Sequence, residues 1–293
     1  MRAFVALLVL LAAAPIAKAA SPEQTYLAAR DHAIEVLKKM SGAKRDAEEK
    51  RLSAGLEAQL RSLVGVKKLE GFPGPTMMSP DTLMSDDEGF GALDGVRFTR
   101  KDLSGDALVS TEGLLRFWLV AHKDWWNDLA NPPADPEAAF HSEAFYTQAV
   151  SADAAMSIYA VLPIRKPDGA AGAVALLGQE SQDRAIEPPG QIAVAVVKNG
   201  KVFIAIVNVK AKLAPIAACD AVWQEYKAKS DKAIEAYNSS GSKDEKIFDE
   251  STKLEDEGEV AVHKCWSEKA SGAPEFPALT KEAQALVDRF AAQ

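Results

Sequence analysis

Four histidines in 293 residues leave few places for acid–base or metal chemistry, and one pair of them is spaced for it. His122 stands in a charged stretch with Asp124 and Asp128, and His141 lies two residues before Glu143. If the segments on either side of 131–135 fold back as two helices centred near residue 133, His122 comes opposite roughly residue 144, within a turn of His141 and Glu143. Two imidazoles and a carboxylate, with an aspartate nearby, can hold zinc and leave one position open for water, the arrangement of a metal-dependent hydrolase. The same residues equally make a hydrogen-bonded polar cluster at the mouth of a helix pair. Beside them, Trp125 and Trp126 point about 100° apart on a helix, so one can enter the core while the other stays at the rim to contact a ligand or partner.

Other chemistry is thin. The chain has no G-x-S-x-G, C-x-x-C, H-E-x-x-H or G-x-x-x-x-G-K-[ST] pattern. His32 falls on a surface-like N-terminal helix, and His263 lies two residues from Cys265. Gly89-Phe90-Gly91 with Gly95 superficially resembles a dinucleotide loop, but the acidic run Asp86-Asp87-Glu88 precedes it and a strand follows it, where a phosphate site needs a strand before and a helix after. It also fails as a calcium loop, because Phe90 stands where an oxygen ligand is required. Met77, Met78 and Met84 suggest a soft metal such as copper, although methionines covering apolar surface account for them without one.

The elements that must position these residues follow from periodicity. Residues 22–64 read as helix broken at Ser41-Gly42, either two antiparallel helices or one kinked helix; Ser21 caps the start and Pro22 takes the first helical position. Residues 71–91, rich in proline, glycine and methionine, read as a long loop. A strand at 96–100 precedes an apolar helix that Thr111 caps, running from 111 to about 130 until Asn131-Pro132-Pro133 stops it, and a second helix reaches about 150. Strands at 156–164 and 173–177 then lead to two apolar runs flanking Asn199-Gly200, the strongest short-range hairpin signal in the chain. The expectation is an α+β fold: a four- to five-stranded antiparallel meander covered by helices, the Leu114-rich helix being the first candidate for cover.

The two cysteines add a long-range constraint. Helices are expected from after Pro215 to about Tyr237 and from 245 to about 268, and the midpoint between Cys219 and Cys265 is 242, inside the turn between them. Residues equidistant from the turn of an antiparallel helical hairpin face each other, so a disulfide between Cys219 and Cys265 would close its base. Val222, Trp223, Tyr226, Ile234 and Tyr237 should line one arm, and Phe248, Leu254, Val260 and Val262 the other. The N-terminal helices are expected to pack against this hairpin. A last helix, 281–291, should be capped by Thr280. The chain thus divides into a leader (1–19), a helical region (20–70), a loop (71–95), an α+β core (96–212) and the hairpin with its terminal helix (213–293).

Arg2, an uncharged run at 3–17 and Ala17-Lys18-Ala19 fit a secretory signal cleaved before Ala20, its apolar core being too short for a bilayer. Cleavage would remove Arg2 and Lys18, leaving 32 basic residues against 42 acidic ones. That balance argues against nucleic-acid binding, which draws its affinity from clustered lysine and arginine. No later stretch suits a membrane span. The expected protein is therefore an exported, soluble, non-catalytic binding or scaffold module in the periplasm or outside the cell. The alternative is a hydrolase, with zinc as candidate cofactor, built on His122, His141 and Glu143.

Overall fold

The computed structural model describes residues 20–72, 76–79, 93–100, 105–121, 139–140, 145, 156–162, 164–165, 170–179, 191–210, 213–214, 216–241 and 245–293. It begins with two helices, α1 (Pro22–Leu37) and α2 (Gly42–Val64), which pack against each other. The Ser21 hydroxyl accepts from the backbone N–H of Gln24, and the Gln24 side chain reciprocates on the Ser21 N–H, a full capping box with proline at the first position. Gly65, at φ 70°, ends α2 in the left-handed conformation that glycine adopts without a steric cost.

Seven strands form one antiparallel sheet in the order β1-β2-β3-β7-β6-β5-β4. The four-stranded meander is there as expected: β4 (Met156–Val161), β5 (Ala170–Gln179), β6 (Gln191–Lys198) and β7 (Lys201–Asn208) pair in sequence. Its turn is Asn199-Gly200, with φ of 51° and 71°, the two positive values that a type I′ turn requires. On the other side of β7 the sheet continues through β3 (Gly105–Thr111), β2 (Gly95–Thr99) and β1 (Thr76–Ser79). Two of these, β1 and β3, lack alternation in the sequence. Pairing with β2 makes a strand of four residues inside the stretch expected to be loop, and pairing with β2 and β7 makes one of the residues leading into Thr111.

Both faces of the central strands are buried. Phe203 on β7 stacks on Phe290 of α6 (Phe276–Ala291), ring centroids 5.7 Å apart, and Phe72 lies 6.1 Å from the same ring. Lys201, two residues from Phe203 and so on the same face, donates through Nζ to the carbonyls of Leu63 (3.3 Å) and Val64, the last turn of α2. The register puts Val109 and Val196 beside Phe203 on that face, and Leu108, Ile204 and Ala195 on the other, all buried. Helix α3, described over Glu112–Ala121, packs against β3 and β7, and Thr111 caps it as expected, its hydroxyl accepting from the Leu114 N–H at 3.1 Å.

Two expectations about helices are corrected. The last helix starts at Phe276, so Thr280 lies inside it, donating to the Phe276 carbonyl, because Pro277 already suits the first turn. The N-terminal helices pack chiefly on each other and on the sheet, α2 against β2 and β3, where Leu56, Leu60 and Val64 are buried. Gln284 of α6 pairs with the backbone of Arg165 in both directions, at 2.6 and 3.0 Å, tying the segment after β4 to the terminal helix.

Candidate functional site: a projecting helical hairpin

Helices α4 (Ala217–Ser239) and α5 (Glu245–Lys269) run antiparallel, joined at the base by the Cys219–Cys265 disulfide with Cα atoms 5.6 Å apart. The register deduced from the cysteines holds along the pair. Above the disulfide, Gly258 meets Tyr226 and Trp223; next come Ser230, Ser251 and Glu255; near the tip the Tyr237 and Phe248 rings lie 5.5 Å apart. Each pair is nearly equidistant from residue 242. Ser230 and Ser251, both buried, share a hydrogen bond of 2.8 Å, and Ser230 donates to Glu255 Oε1 at 2.9 Å, so this polar layer is satisfied within itself.

Among the described residues, the hairpin is rooted on the rest of the fold at its base. Val262, Cys265 and Trp266 are buried there, and α5 packs against β4, the last strand of the sheet. Beyond Ser230 and Ser251, none of the described residues 231–241 and 245–250 is buried. Three of the residues expected to line the arms are exposed: Val260 at 69 %, Phe248 at 53 % although its ring meets Tyr237, and Ile234 at 37 %. The buried residues of α5 are 251, 258, 262, 265 and 266, the first four at steps of seven, four and three, and Val260 falls off that face. What lets the helices approach is small side chains, glycine and serine, which an apolar pattern does not register.

Val260 instead edges an open groove of about 440 Å³ with Tyr226, Asp256, Glu257, Ala261 and Lys264. The surroundings are acidic: α5 carries eight carboxylates and four lysines, and α4 four carboxylates and three lysines. Lys229 holds Glu225 at 2.8 Å, and its ammonium stands 4.9 Å above the Tyr226 ring. These contacts raise the Lys229 ammonium above its ordinary range and lower the Glu225 carboxyl, the hydrogen bond between them being the main cause.

A second cluster of ionisable groups lies where α1 meets the start of β2. Asp94, buried just before β2, accepts from the Tyr26 hydroxyl at 3.3 Å and from Arg30 Nη1, while its carbonyl accepts from Ser110 Oγ at 2.5 Å. Burial raises the Asp94 carboxyl above its ordinary range, outweighing the opposing pull of Arg30, and burial likewise raises the Tyr26 phenol. Tyr26 and Arg30 are one turn apart on α1, so the cluster clasps that helix to the sheet. Glu23, one turn earlier, accepts from Thr111 Oγ1 at 3.3 Å and packs against Gly113. Sequence reading missed this cluster; its only signal was an aspartate between Leu93 and the strand, with a tyrosine and an arginine four apart on an amphipathic helix.

Most of the residues nominated for chemistry fall outside the described set. His122, His141, Glu143, Trp125 and Trp126, with Asp124 and Asp128, lie outside the described residues, as do Met84 and the 1–19 leader. His32 is exposed on α1, and the His263 side chain is likewise outside the described set. Among the described residues no three His, Cys, Asp or Glu side chains come together in a metal-binding group, and no helix is long and apolar enough to cross a membrane. Compared with known proteins, the chain matches no family model, no curated protein and no solved structure.

Proposed function

We propose that this chain is an exported, non-catalytic binding or scaffold module, acting in the periplasm or outside the cell, with the α4–α5 hairpin as its presenting element. One observation carries the reading: an arm of two helices, covalently closed at its root, has no buried residue among those described towards its tip, and shows Phe248 to solvent there and Val260 nearer the root. Exposed large apolar side chains on a projecting element suit a partner surface better than a fold's own core. The disulfide agrees with an oxidising compartment, and the leader-like first nineteen residues point the same way.

Two measurements test the reading. Expressed with its leader in a secreting host, the protein should accumulate outside the cytoplasm with Ala20 as its first residue by mass spectrometry. The purified product should then show no turnover on ester, phosphate and peptide substrates. Turnover that disappears in His122→Ala or His141→Ala would overturn the reading in favour of the hydrolase, and zinc found stoichiometrically by elemental analysis would add its metal.

A further inference from the structure

We propose that the groove between Tyr226 and Val260 docks a basic amphipathic helix of a partner protein. The proposal rests on the hairpin being a binding element and specifies what it binds. Four of the six lining residues, Glu257, Val260, Ala261 and Lys264, follow one another on α5 at i, i+3, i+4 and i+7. They make a continuous stripe about 10 Å long at 1.5 Å per residue, two turns of helix. Tyr226 supplies the opposite wall from α4. Val260 and Ala261 are its apolar centre, with Glu257 one turn before and Lys264 one turn after, so it offers an apolar anchor point flanked by charges to the face of a second, amphipathic helix.

Charge decides which helix. Val260 sits within a run of carboxylates, Glu255, Asp256, Glu257 and Glu259, while the chain as a whole carries 42 acidic residues against 34 basic ones. A partner presenting lysines or arginines beside its apolar face is drawn to this rim, and an acidic one is repelled. The hairpin already shows how a cation sits here: Lys229 lies over the Tyr226 ring while pairing with Glu225, and Lys253 pairs with Glu257 at 3.7 Å. Lys264 at the far end of the stripe favours the carbonyl-rich C-terminus of the incoming helix, which sets its direction. A second copy of the hairpin would bring like charges together, and so would an anionic membrane or a nucleic acid.

The test uses the full mature protein with its disulfide intact and two synthetic 18-residue helical peptides sharing one leucine stripe, one with lysines on the polar face and the other with glutamates. The lysine peptide should bind at least tenfold tighter by fluorescence anisotropy, and its affinity should fall as salt rises. Val260→Asp, at an exposed position and so harmless to folding, should weaken it about tenfold or more, since burying a valine is worth about that factor. Glu257→Lys should weaken it too. Equal affinity for both peptides, or a Val260→Asp variant that binds as well as the parent, overturns the proposal. So does a dimer by sedimentation that Val260→Asp dissolves, since that would assign the groove to a second copy. Failure of either kind leaves the binding-module reading intact, because that reading falls on turnover and not on these peptides.

Discussion

Replacing Gly258 by alanine sets two known effects against each other at one position. Alanine is the better helix former by about 1 kcal/mol in a helix interior, so the exchange should stabilise α5. At Gly258, however, the added Cβ would lie 2.8 Å from the Tyr226 Cβ and 3.2 Å from Tyr226 Cγ and a Trp223 ring carbon. Carbon atoms rest about 3.5–4.0 Å apart, and the nearest atom here is the first of its side chain, which no rotamer change can move. The two helices must therefore part by several tenths of an ångström or more. Overpacking of this kind costs about 1–3 kcal/mol, which leaves a net loss of about 0–2 kcal/mol. Gly55, in the interior of α2, meets nothing within 4 Å and supplies the control: Gly55→Ala should gain about 1 kcal/mol. Urea unfolding of both variants reads the difference, with hydrogen exchange across 217–269 showing where it falls. A Gly258→Ala protein as stabilised as Gly55→Ala would refute the close helix contact and, with it, the register of the hairpin.

Removing the disulfide by Cys219→Ala with Cys265→Ala should cost up to about 4 kcal/mol on the loop-closure model for residues 46 apart in sequence; a loss below about 1 kcal/mol in urea, with unchanged exchange in α4 and α5, would contradict it. Asp94 tests a sign. Because burial raises its carboxyl in the folded state, the folded chain keeps the proton to higher pH than the unfolded chain, and stability from this group falls as pH climbs from about 4 through the raised value. The advantage of the parent over Asp94→Asn should therefore shrink across that range in pH-dependent unfolding and stay flat above it, and a gap that widens with pH would show that Arg30 wins instead. Lys201→Met removes the cation from the last carbonyls of α2 and should cost about 1–2 kcal/mol, with faster amide exchange at 60–64; unchanged exchange there would show the contact to be idle.

What could be read beforehand was what local chemistry dictates. Asn199-Gly200 needs only its own two residues to turn a hairpin, Ser21 and Thr111 cap the helices beside them, and two cysteines equidistant from a polar turn imply their own pairing. Strand β3 was illegible because its conformation is settled by β7, ninety or more residues away, and β1 because only β2 makes a strand of four residues among prolines. The Asp94 clasp joins groups 64 and 68 residues apart. Val260 was assigned inward because valine is apolar, whereas the inward face of α5 is chosen by glycine and serine. The histidine cluster, argued from an assumed helical fold-back, falls on residues outside the described set.

The seam between β3 and β7 has a bearing on how the molecule comes into being. On its β7 side Thr111 pairs with Lys201 and Gly105 with Val207, so the first three strands have no neighbour on that side until the chain is two-thirds made. Until then β3 offers a row of unclaimed amides and carbonyls to any other strand nearby. A product that ends early, or stalls before residue 201, is therefore the sticky form of this protein, and its yield should depend on what shields that margin while the remainder arrives.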